Sequence, residues 1–242
     1  MTWKRGAHSL TAVTWGTLIA VLALAALAAR PKPARADDAQ DAQQLVEEAR
    51  LTFEAFAADK DFQDLLGLVK KAKGVLIYPS LLRGAFVFGV SGGTGVLLVH
   101  DTETKQWAGP AFYTIGEVSF GIQAGGHAAE IILVALTDRG VSAFLAPSGK
   151  LGVDAGITVG PFGAGASAAT QNLSMDIISF SRSKGLYAGM SVQGAIVGVR
   201  ESLNNAYYGR EVTPADNLIK RSVTNPRAAG LIEEVAKYAA AP

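Results

Sequence analysis

Glycine recurs within strand-like sequence along most of this chain, and this pattern limits the fold more than any other feature. The 242 residues include 27 glycines, and many of them interrupt short aliphatic runs between positions 75 and 199. In residues 151–160, apolar side chains alternate with a second face that is mostly glycine, which is the period of a strand. Glycine inside a strand costs entropy and contributes no packing, so its repetition requires a structural reason. Strongly bent strands, or a helix lying close to the sheet, would each provide that reason.

Helices are predicted before and after the glycine-rich region. Apolar residues at three- and four-residue spacing predict an amphipathic helix that contains Ala42, Leu45, Val46, Ala49, Phe53 and Phe56. Its polar face is acidic, so packing on the sheet is favoured over insertion into a membrane surface. A second stripe in residues 62–69 ends in lysines, with Gly74 as the predicted stop. Thr213-Pro214 and Asn225-Pro226 each place an N-cap residue before proline, as at the start of a helix.

Short strands are predicted between these helices. They are residues 75–78, closed by Pro79, and residues 85–90, 96–99, 112–115, 119–124, 130–136, 141–145, 151–159, 175–181 and 186–199. Turns are predicted at residues 92–95, 101–105 and 137–140. Because these strands do not alternate with helices, a parallel sheet is not expected. The predicted fold is therefore α+β: a strongly curved antiparallel β-sheet or small barrel, rich in glycine and covered by N- and C-terminal helices.

The first 36 residues have the features of a secretory signal peptide. Lys4, Arg5 and His8 form a positive start, residues 10–29 carry no charge, and a small-x-small triplet ends at Ala36. Cleavage after Ala36 is predicted, with the periplasm or the exterior of a bacterium as the destination. An uncleaved inner-membrane anchor is the alternative, because an uncharged stretch of this length is near what a bilayer requires.

Removing the leader makes the chain acidic. It takes away five of the 22 Lys and Arg residues and none of the 21 Asp and Glu residues, so the net charge changes from +1 to −4. An acidic domain is poorly suited to nonspecific nucleic-acid binding, and nucleic acid is not predicted as a partner. The chain has no cysteine, which excludes a disulfide framework, a thiol nucleophile and a cysteine-bound metal.

Two short motifs imitate enzyme signatures. Residues 89–93 fit G-x-S-x-G, a nucleophile elbow that would hold Ser91 between a strand and a helix, with Asp101 and His127 in the required order. Another aliphatic strand follows instead, so a glycine-rich hairpin is the favoured interpretation. Residues 163–168 resemble a dinucleotide loop, but no helical pattern follows them. The histidines after the leader, His100 and His127, lack metal-ligand spacing, so no metal, cofactor or catalytic residue is predicted.

Cations in two segments form the candidate binding site. Arg182 and Lys184 lie two positions apart in a predicted hairpin turn, and Lys70, Lys71 and Lys73 follow the second helix. The simpler interpretation is a solvated turn that its cations keep soluble. The alternative is contact with phosphate or a lipid headgroup, because Arg offers a planar fork and Lys a point charge. Cations near an anionic surface contribute roughly 1 kcal/mol each.

Seven segments of the chain match the pattern of one known family. They are residues 72–79 (AKGVLIYP), 92–98 (GGTGVLL), 110–113 (PAFY), 119–125 (SFGIQAG), 160–163 (GPFG), 181–189 (SRSKGLYAG) and 205–209 (NAYYG). In this order they resemble the SYLF domain, which is also called the Ysc84 actin-binding domain or DUF500 family. The resemblance covers about residues 72–209, and seven segments in one order are a specific signal.

The resemblance implies a lipid-binding module without enzymatic activity. Eukaryotic members of the family bind phosphoinositides and other anionic lipids, some bind or bundle actin, and they act in membrane traffic and cortical actin assembly. This chain differs from them in having a leader and no SH3 or FYVE companion domain. Lipid association is therefore expected here, and actin is not expected as a partner in a bacterial envelope.

The sequence thus predicts a signal peptide (residues 1–36), N-terminal helices (37–71), a SYLF-like β-rich domain (72–209) and C-terminal helices (210–242) that pack on the same domain. The predicted function is non-catalytic binding of anionic phospholipid or a membrane surface in the bacterial cell envelope. The predicted lipid-binding residues are Lys70, Lys71, Lys73, Arg182 and Lys184. Two alternatives remain: a serine hydrolase that uses Ser91, and a structural envelope protein without a small ligand.

Overall fold

The computed structural model describes residues 34–85, 88–101, 103–120, 125–160, 175–183 and 192–239. The chain divides into two units, Met1–Asp37 and Asp38–Pro242, and the fold below belongs to the second. The predicted signal peptide lies outside the described residues except at its last three positions, so its cleavage stays a prediction. The predicted boundaries between residues 37–71, 72–209 and 210–242 also stay predictions.

Helices at both ends of the described chain enclose a run of strands. The α-helices are α1 (Ala34–Ala58), α2 (Gln63–Val69), α3 (Asp138–Leu145), α4 (Glu201–Tyr208), α5 (Pro214–Leu218) and α6 (Ala229–Ala239). Short 3-10 helices at Lys60–Phe62 and Pro226–Ala228 precede α2 and α6. The strands are β1 (Gly74–Ala85), β2 (Phe88–Asp101), β3 (Gln106–Phe120), β4 (Gly125–Ala135), β5 (Ser148–Lys150), β6 (Ile157–Val159), β7 (Ile177–Ser183) and β8 (Ile196–Val199).

All of these strands belong to one sheet, in the order β5-β8-β3-β2-β1-β4-β7-β6. The sheet curls strongly into a half-barrel, which confirms the predicted α+β fold with a strongly curved sheet. Its strand pairs are antiparallel except for β6 and β7, which run parallel. The sequence did not predict this pair, because no helical crossover is visible in it. The connecting residues 160–176 are nevertheless long enough for the crossover that a parallel pair needs.

A β-bulge bends the central strand β1. Between Ile77 and Ser80 this strand advances three residues while β2 advances two, and the same offset occurs against β4 between Tyr78 and Leu81. Pro79, which has no N–H to donate to a neighbouring strand, lies within the bulge. The extra residue reverses the alternation of side chains, so Leu81 packs in the same core layer as Tyr78.

Glycines in β2 allow the bulged strand to lie close to its neighbour. A Cβ on Gly95 would lie 2.5 Å from Tyr78 Cδ1 and 2.7 Å from the Ile77 carbonyl oxygen. A Cβ on Gly93 would lie 2.6 Å from the Ser80 carbonyl oxygen. No side chain fits at either position, so the close approach of the two strands requires glycine. A helix lying close to the sheet was one of the two predicted reasons for glycine within strands. In the structure the close neighbour is another strand.

Strand β3 carries a second bulge at Gly109-Pro110, where it advances three residues against two in β2. The peptide bond between these residues is cis, and Gly109 has a φ of 137°, which favours glycine. The Pro110 carbonyl accepts hydrogen bonds from the Tyr208 hydroxyl at 2.7 Å and from the Asn217 amide at 2.6 Å. The carbonyl at the bulge therefore accepts the hydrogen bonds that attach α4 and α5 to the sheet.

The buried side chain of Asn204 in α4 takes the place of a neighbouring strand beside β3. Its Oδ1 accepts from the Phe112 N–H at 3.1 Å, and its Nδ2 donates to the Phe112 carbonyl at 3.0 Å. The pairing of β8 with β3 begins only at Tyr113. The Phe112 carbonyl also accepts from the Arg200 N–H at 2.9 Å, directly after β8. The Asn204 amide therefore gives the buried Phe112 N–H a partner that β8 does not supply. It also closes an edge that would otherwise be open to another strand.

Apolar residues are buried on both faces of the sheet. On one face, helices α1, α2, α4 and α6 cover strand residues such as Val75, Val96 and Phe112. On the other face, α3 and residues 192–197 cover residues such as Leu76 and Leu133. Burial on both faces explains why the strands consist of aliphatic runs rather than an alternation of apolar and polar residues.

Three predicted strand ends are wrong. The predicted turn at residues 92–95 lies inside β2, the predicted end at Pro79 lies inside β1, and residues 112–115 and 119–120 belong to one strand, β3. In each case proline or glycine serves a bulge or a close approach of strands, so the chain continues where a turn was expected.

Residues 138–145 form a helix, α3, where a turn and a strand were predicted. Thr137 caps α3, because its Oγ1 accepts from the Gly140 N–H at 3.1 Å. The predicted strand at residues 151–159 is also wrong for its first half, where residues 152–154 form a turn and only β6 is strand. Gly74 begins β1 instead of ending α2.

The predicted helix starts in the C-terminal region are confirmed. Thr213 and Asp216 form a capping box at the start of α5, with Pro214 as its first residue. Asn225 Oδ1 accepts from the Arg227 N–H at 3.1 Å before the turn that leads into α6. The predicted amphipathic helix before the sheet is confirmed as α1.

We expect Gly95→Ala to lower the free energy of unfolding by about 1–3 kcal/mol, because the added methyl group would overlap Tyr78 and a backbone oxygen. The matched control is Gly92→Ala in the same strand, where a Cβ would lie 3.7 Å from its nearest neighbour, the Ile115 carbonyl oxygen. Urea unfolding followed by circular dichroism measures both changes. Equal stability of the two variants would contradict the steric role of Gly95.

The carboxylate of Asp176 makes the stability of the fold depend on pH. It accepts hydrogen bonds from the Thr137 hydroxyl at 2.6 Å and the Gly156 N–H at 2.8 Å. The Thr137 hydrogen bond is the main cause that holds the pKa of Asp176 below its usual value; the Gly156 N–H and Arg139 add to it, against the opposing effect of desolvation. The stabilisation is therefore complete above the unfolded-state pKa of about 4 and is lost as the pH falls through the lower folded-state pKa.

We expect Asp176→Asn to lower the free energy of unfolding by about 1.5–3 kcal/mol at pH 7 and by less at pH 2.5. Urea unfolding at both pH values measures the difference. The control is Asp61→Asn, which changes a carboxylate at an exposed position. A loss of equal size at the two pH values would contradict a role for the ionised carboxylate.

Candidate functional site

A groove of about 630 Å³ lies between α1 and the strands β1, β4 and β7. Its lining residues are Glu48, Leu51, Thr52, Pro79, Ser80, Ala128, Ala129, Glu130, Arg182 and Ser183. The bulge in β1 supplies Pro79 and Ser80, and three residues at helical spacing supply the α1 side. The groove therefore depends on the same distortion that bends the sheet.

Arg182 is the cation among the lining residues, and it joins the sheet to α1. Its Nε donates to Glu130 Oε2 at 2.7 Å, and its Nη2 pairs with the same oxygen. Its Nη1 donates to the Ala55 carbonyl at 3.3 Å, and its guanidinium carbon lies 5.1 Å from the centre of the Phe56 ring. Ala55 belongs to the last four residues of α1, whose carbonyls have no partner within the helix. Arg182 thus caps the C-terminal end of α1.

Part of the hydrogen-bonding capacity of Arg182 remains for a ligand. A guanidinium carries five N–H groups, and the contacts with Glu130 and Ala55 use one on each of its three nitrogens. The Arg182 side chain is 32% exposed. An anion that enters the groove can therefore accept hydrogen bonds from the N–H groups that the described residues do not use.

Two carboxylates of the groove oppose this one guanidinium. Glu130 directs one oxygen, Oε2, at Arg182, and its side chain is 26% exposed. Glu48 lies on the α1 side of the groove, and its Oε1 accepts a hydrogen bond from the Gln44 amide at 2.8 Å. The charged lining side chains therefore sum to about one negative charge.

Apolar side chains border the groove. Leu51 of α1 lines it and is 50% exposed, and Leu82 of β1 is 63% exposed. Leu82 comes two positions after Ser80, another lining residue, and therefore faces the same side of the strand. Apolar side chains beside a concave surface are a common feature of sites for small molecules. With Arg182 inside and leucines at its border, the groove is suited to an amphiphilic ligand.

The structure places the predicted lysines away from this groove. Lys70 and Lys71 are exposed after α2, and Lys73 forms an ion pair with Asp138 at 2.6 Å. The backbone N–H of Lys73 donates to the carbonyl of Ala135, at the end of β4.

Arg182 lies far from these lysines along the sheet. It is part of β7, not of the predicted hairpin turn, and it pairs with Glu130, five positions before Ala135 in β4. Five residues of a strand span roughly 17 Å. The predicted cations thus do not form one site, and Lys184 lies outside the described residues.

Ser91 does not lie in a nucleophile elbow. It is buried within β2, between Arg83 of β1 and Glu117 of β3, and its Oγ lies 3.5 Å from Glu117 Oε2. Asp101 ends the same strand ten positions later, and ten strand residues span roughly 33 Å. This distance excludes a triad of Ser91 with Asp101. The favoured hairpin interpretation is also wrong, because the glycines after Ser91 continue the strand.

The remaining motifs offer no assembled chemistry in the part of the chain that the structure describes. The His100 ring stacks on Trp107 with centroids 4.8 Å apart. His127 belongs to β4 and pairs with Arg83 in β1. Across the described ranges, no three His, Asp or Glu side chains are arranged to hold a metal ion. Residues 163–168, which resemble a dinucleotide loop, lie outside them.

Sequence reasoning missed Glu48, Leu51 and Glu130 as residues of the groove. The helical spacing of Glu48 and Leu51 places them on one side of α1, which is a signal that the sequence contains. The pairing of Glu130 with Arg182 has no such signal, because the residues lie 52 positions apart and meet only through strand register. Within the described residues, no helix combines the length and apolar character needed to cross a membrane.

The fold and the groove together define a class: an α+β domain in which a half-barrel sheet and its covering helices form an amphiphilic groove. The chain belongs to the Ysc84 family. The family model, which is described as Las17-binding protein actin regulator, matches residues 116–238. This match confirms the resemblance found in the sequence.

Curated relatives match over most of this chain. The SH3 domain-containing YSC84-like protein 1 of Bos taurus is 28% identical over 171 residues, which is 69% of this chain and 49% of that protein. Protein YSC84 of Saccharomyces cerevisiae is 28% identical over 170 residues, 68% of this chain and 36% of that protein. LAS seventeen-binding protein 3 of the same yeast is 27% identical over 150 residues, 60% of this chain and 32% of that protein. The chain thus spans a third to a half of the length of these relatives.

We expect Arg182→Met to speed amide hydrogen exchange in the last turn of α1, because the variant keeps an apolar stem near Phe56 but loses every N–H donor. The expected loss in free energy of unfolding is about 1 kcal/mol, since the pair with Glu130 is partly exposed. Exchange measured by mass spectrometry, with Arg139→Met as the control, tests this. Unchanged exchange in residues 55–58 would contradict the capping role.

Proposed function

We propose that this protein binds phospholipid in the bacterial cell envelope and has no catalytic activity. The single observation that carries the proposal is the amphiphilic groove, which Arg182 and exposed Leu51 line, with exposed Leu82 two positions after the lining residue Ser80. A phospholipid has the matching parts, because its acyl chains can cover the leucines while its phosphate accepts hydrogen bonds from the guanidinium.

The size of the groove supports this ligand class. Sites for small molecules commonly measure about 300–1,000 Å³ and combine an apolar lining with a few polar groups. The groove has about 630 Å³, and Pro79, Ala128 and Ala129 add apolar surface to that of the leucines. Its open side would leave part of a lipid in contact with a membrane.

The lysines after α2 would make a separate contact with the membrane. Lys70 and Lys71 are exposed, and basic side chains near an anionic surface contribute roughly 1 kcal/mol each. Lys73 would contribute less, because Asp138 already neutralises it. Export to the periplasm or the exterior, with cleavage after Ala36, is part of the same proposal and rests on the leader sequence alone.

A second candidate function is regulation of actin, and the description of the family model favours it. The relatives are two to three times as long as the matched region, so a partner can bind elsewhere in them. Co-sedimentation of the full chain with actin filaments distinguishes the candidates. Pelleting with filaments, without flotation with vesicles, would favour actin.

The hydrolase alternative finds no support in the position of Ser91, which lies inside a strand and roughly 33 Å along it from Asp101. A structural envelope protein without a ligand remains the alternative if the protein binds no vesicles. In that case the exposed leucines would have another role.

We expect the double variant Leu51→Gln, Leu82→Gln to bind vesicles at least about tenfold more weakly, because burying one leucine contributes about 1.5–3 kcal/mol. Flotation with vesicles of phosphatidylethanolamine and phosphatidylglycerol measures binding by the full chain. Both leucines are exposed, so the fold should tolerate the change. The control is Val153→Gln, which alters a side chain that is 65% exposed and does not line the groove. Equal binding by wild type, double variant and control would overturn the groove as the lipid site.

A further inference from the structure

The charges of the groove select among phospholipids. We propose that it binds a zwitterionic phospholipid, with the phosphate at Arg182 and the ammonium group of the headgroup at Glu48. This inference rests on the proposed function and names its ligand class. It differs from the sequence-based expectation, which was an anionic lipid held by a cluster of cations.

The number of charges supports a headgroup that carries both signs. Among the residues that the structure describes, the charged side chains that line the groove are one guanidinium, Arg182, and two carboxylates, Glu48 and Glu130. An anionic lipid without an ammonium group would add a further negative charge to a groove that already has an excess of one. A zwitterionic headgroup adds no net charge and offers each lining charge a partner of the opposite sign.

Hydrogen-bonding capacity remains on both sides of this pairing. Arg182 uses one N–H on each of its nitrogens for Glu130 and Ala55, which leaves two N–H groups that the described residues do not use. Both donors reach the same oxygen of Glu130, so its Oε1 has no partner among the described residues. Glu48 accepts from the Gln44 amide through Oε1, and its Oε2 likewise has no partner among the described residues. Donors for a phosphate and acceptors for an ammonium group are thus present in one groove.

Lys73 lies too far from the groove to offset the charges of its described lining residues. Lys73 lies near Ala135, and Arg182 near Glu130, roughly 17 Å apart along β4. At physiological ionic strength charges are screened over about 8 Å. Among the described residues, the charges that can select a headgroup are therefore those of Arg182, Glu48 and Glu130.

The test measures which lipid stays in the groove after the membrane is removed. The purified full chain is incubated with vesicles that contain equal amounts of phosphatidylethanolamine and phosphatidylglycerol with the same acyl chains. Vesicles are then removed by gel filtration, and the retained lipids are extracted and counted by mass spectrometry. We expect the wild type to retain phosphatidylethanolamine in at least about fivefold excess, which is what one partly exposed ion pair can provide.

Matched variants identify the charge responsible. Glu48→Gln should lower the ratio of retained phosphatidylethanolamine to retained phosphatidylglycerol towards one, because it removes a partner of the ammonium group. Glu47→Gln is the control: it changes the net charge equally at the adjacent position, but Glu47 pairs with Arg50 and does not line the groove. This variant should leave the excess unchanged.

Three outcomes would overturn the inference. They are equal or preferred retention of phosphatidylglycerol by the wild type, a shift of equal size in Glu47→Gln and Glu48→Gln, and retention of no lipid. The first two leave phospholipid binding intact, so they separate this inference from the proposed function. Absence of both retention and vesicle flotation would refute the two together. Tighter binding of soluble glycerophosphoethanolamine than of vesicles would show that the ligand is not a lipid.

Discussion

The extra residue at Pro79 in the central strand is the constraint on which the rest of the structure depends. It shifts the register of β1 against both of its neighbours, so the bend is transmitted to β2 and β4 together. Gly93 and Gly95 must lack side chains because the bulged strand lies against them. The same bulge turns Pro79 and Ser80 into a wall of the groove. One backbone irregularity thus links the curvature of the sheet to the site that the curvature creates.

Segments that carry the family resemblance contact each other in the fold. The 72–79 segment meets the 92–98 segment at the bulge. The 110–113 segment meets the 205–209 segment, where Tyr208 donates to the Pro110 carbonyl and the Phe112 and Tyr207 rings lie 5.1 Å apart. Helix α4 also closes the open side of β3 through Asn204. These motifs therefore preserve a bent sheet and its attachment to helices, and Pro79, Arg182 and Ser183 are motif residues that also line the groove.

The fold could be predicted in outline, and the site only in part. Apolar periodicity located α1, and N-cap residues before proline located the starts of the C-terminal helices, because both signals are local. Glycine misled the strand assignments, because in β2 it serves a close contact and not a turn. A turn was predicted at Thr137, which instead caps a helix, because the same residue types begin turns and cap helices. Arg182 was predicted as a site residue, but its partner Glu130 and the position of the leucines were not.

The sequence by itself determined that helices flank a glycine-rich sheet, that this sheet must bend, and to which family the chain belongs. Composition and local spacing are sufficient for these conclusions, since each depends on residues that are near neighbours along the chain. Only the tertiary structure decided which charges meet. Strand register brings Glu130 to Arg182 and leaves Lys73 roughly 17 Å away, because neighbours across a sheet are set by pairing and not by distance in sequence.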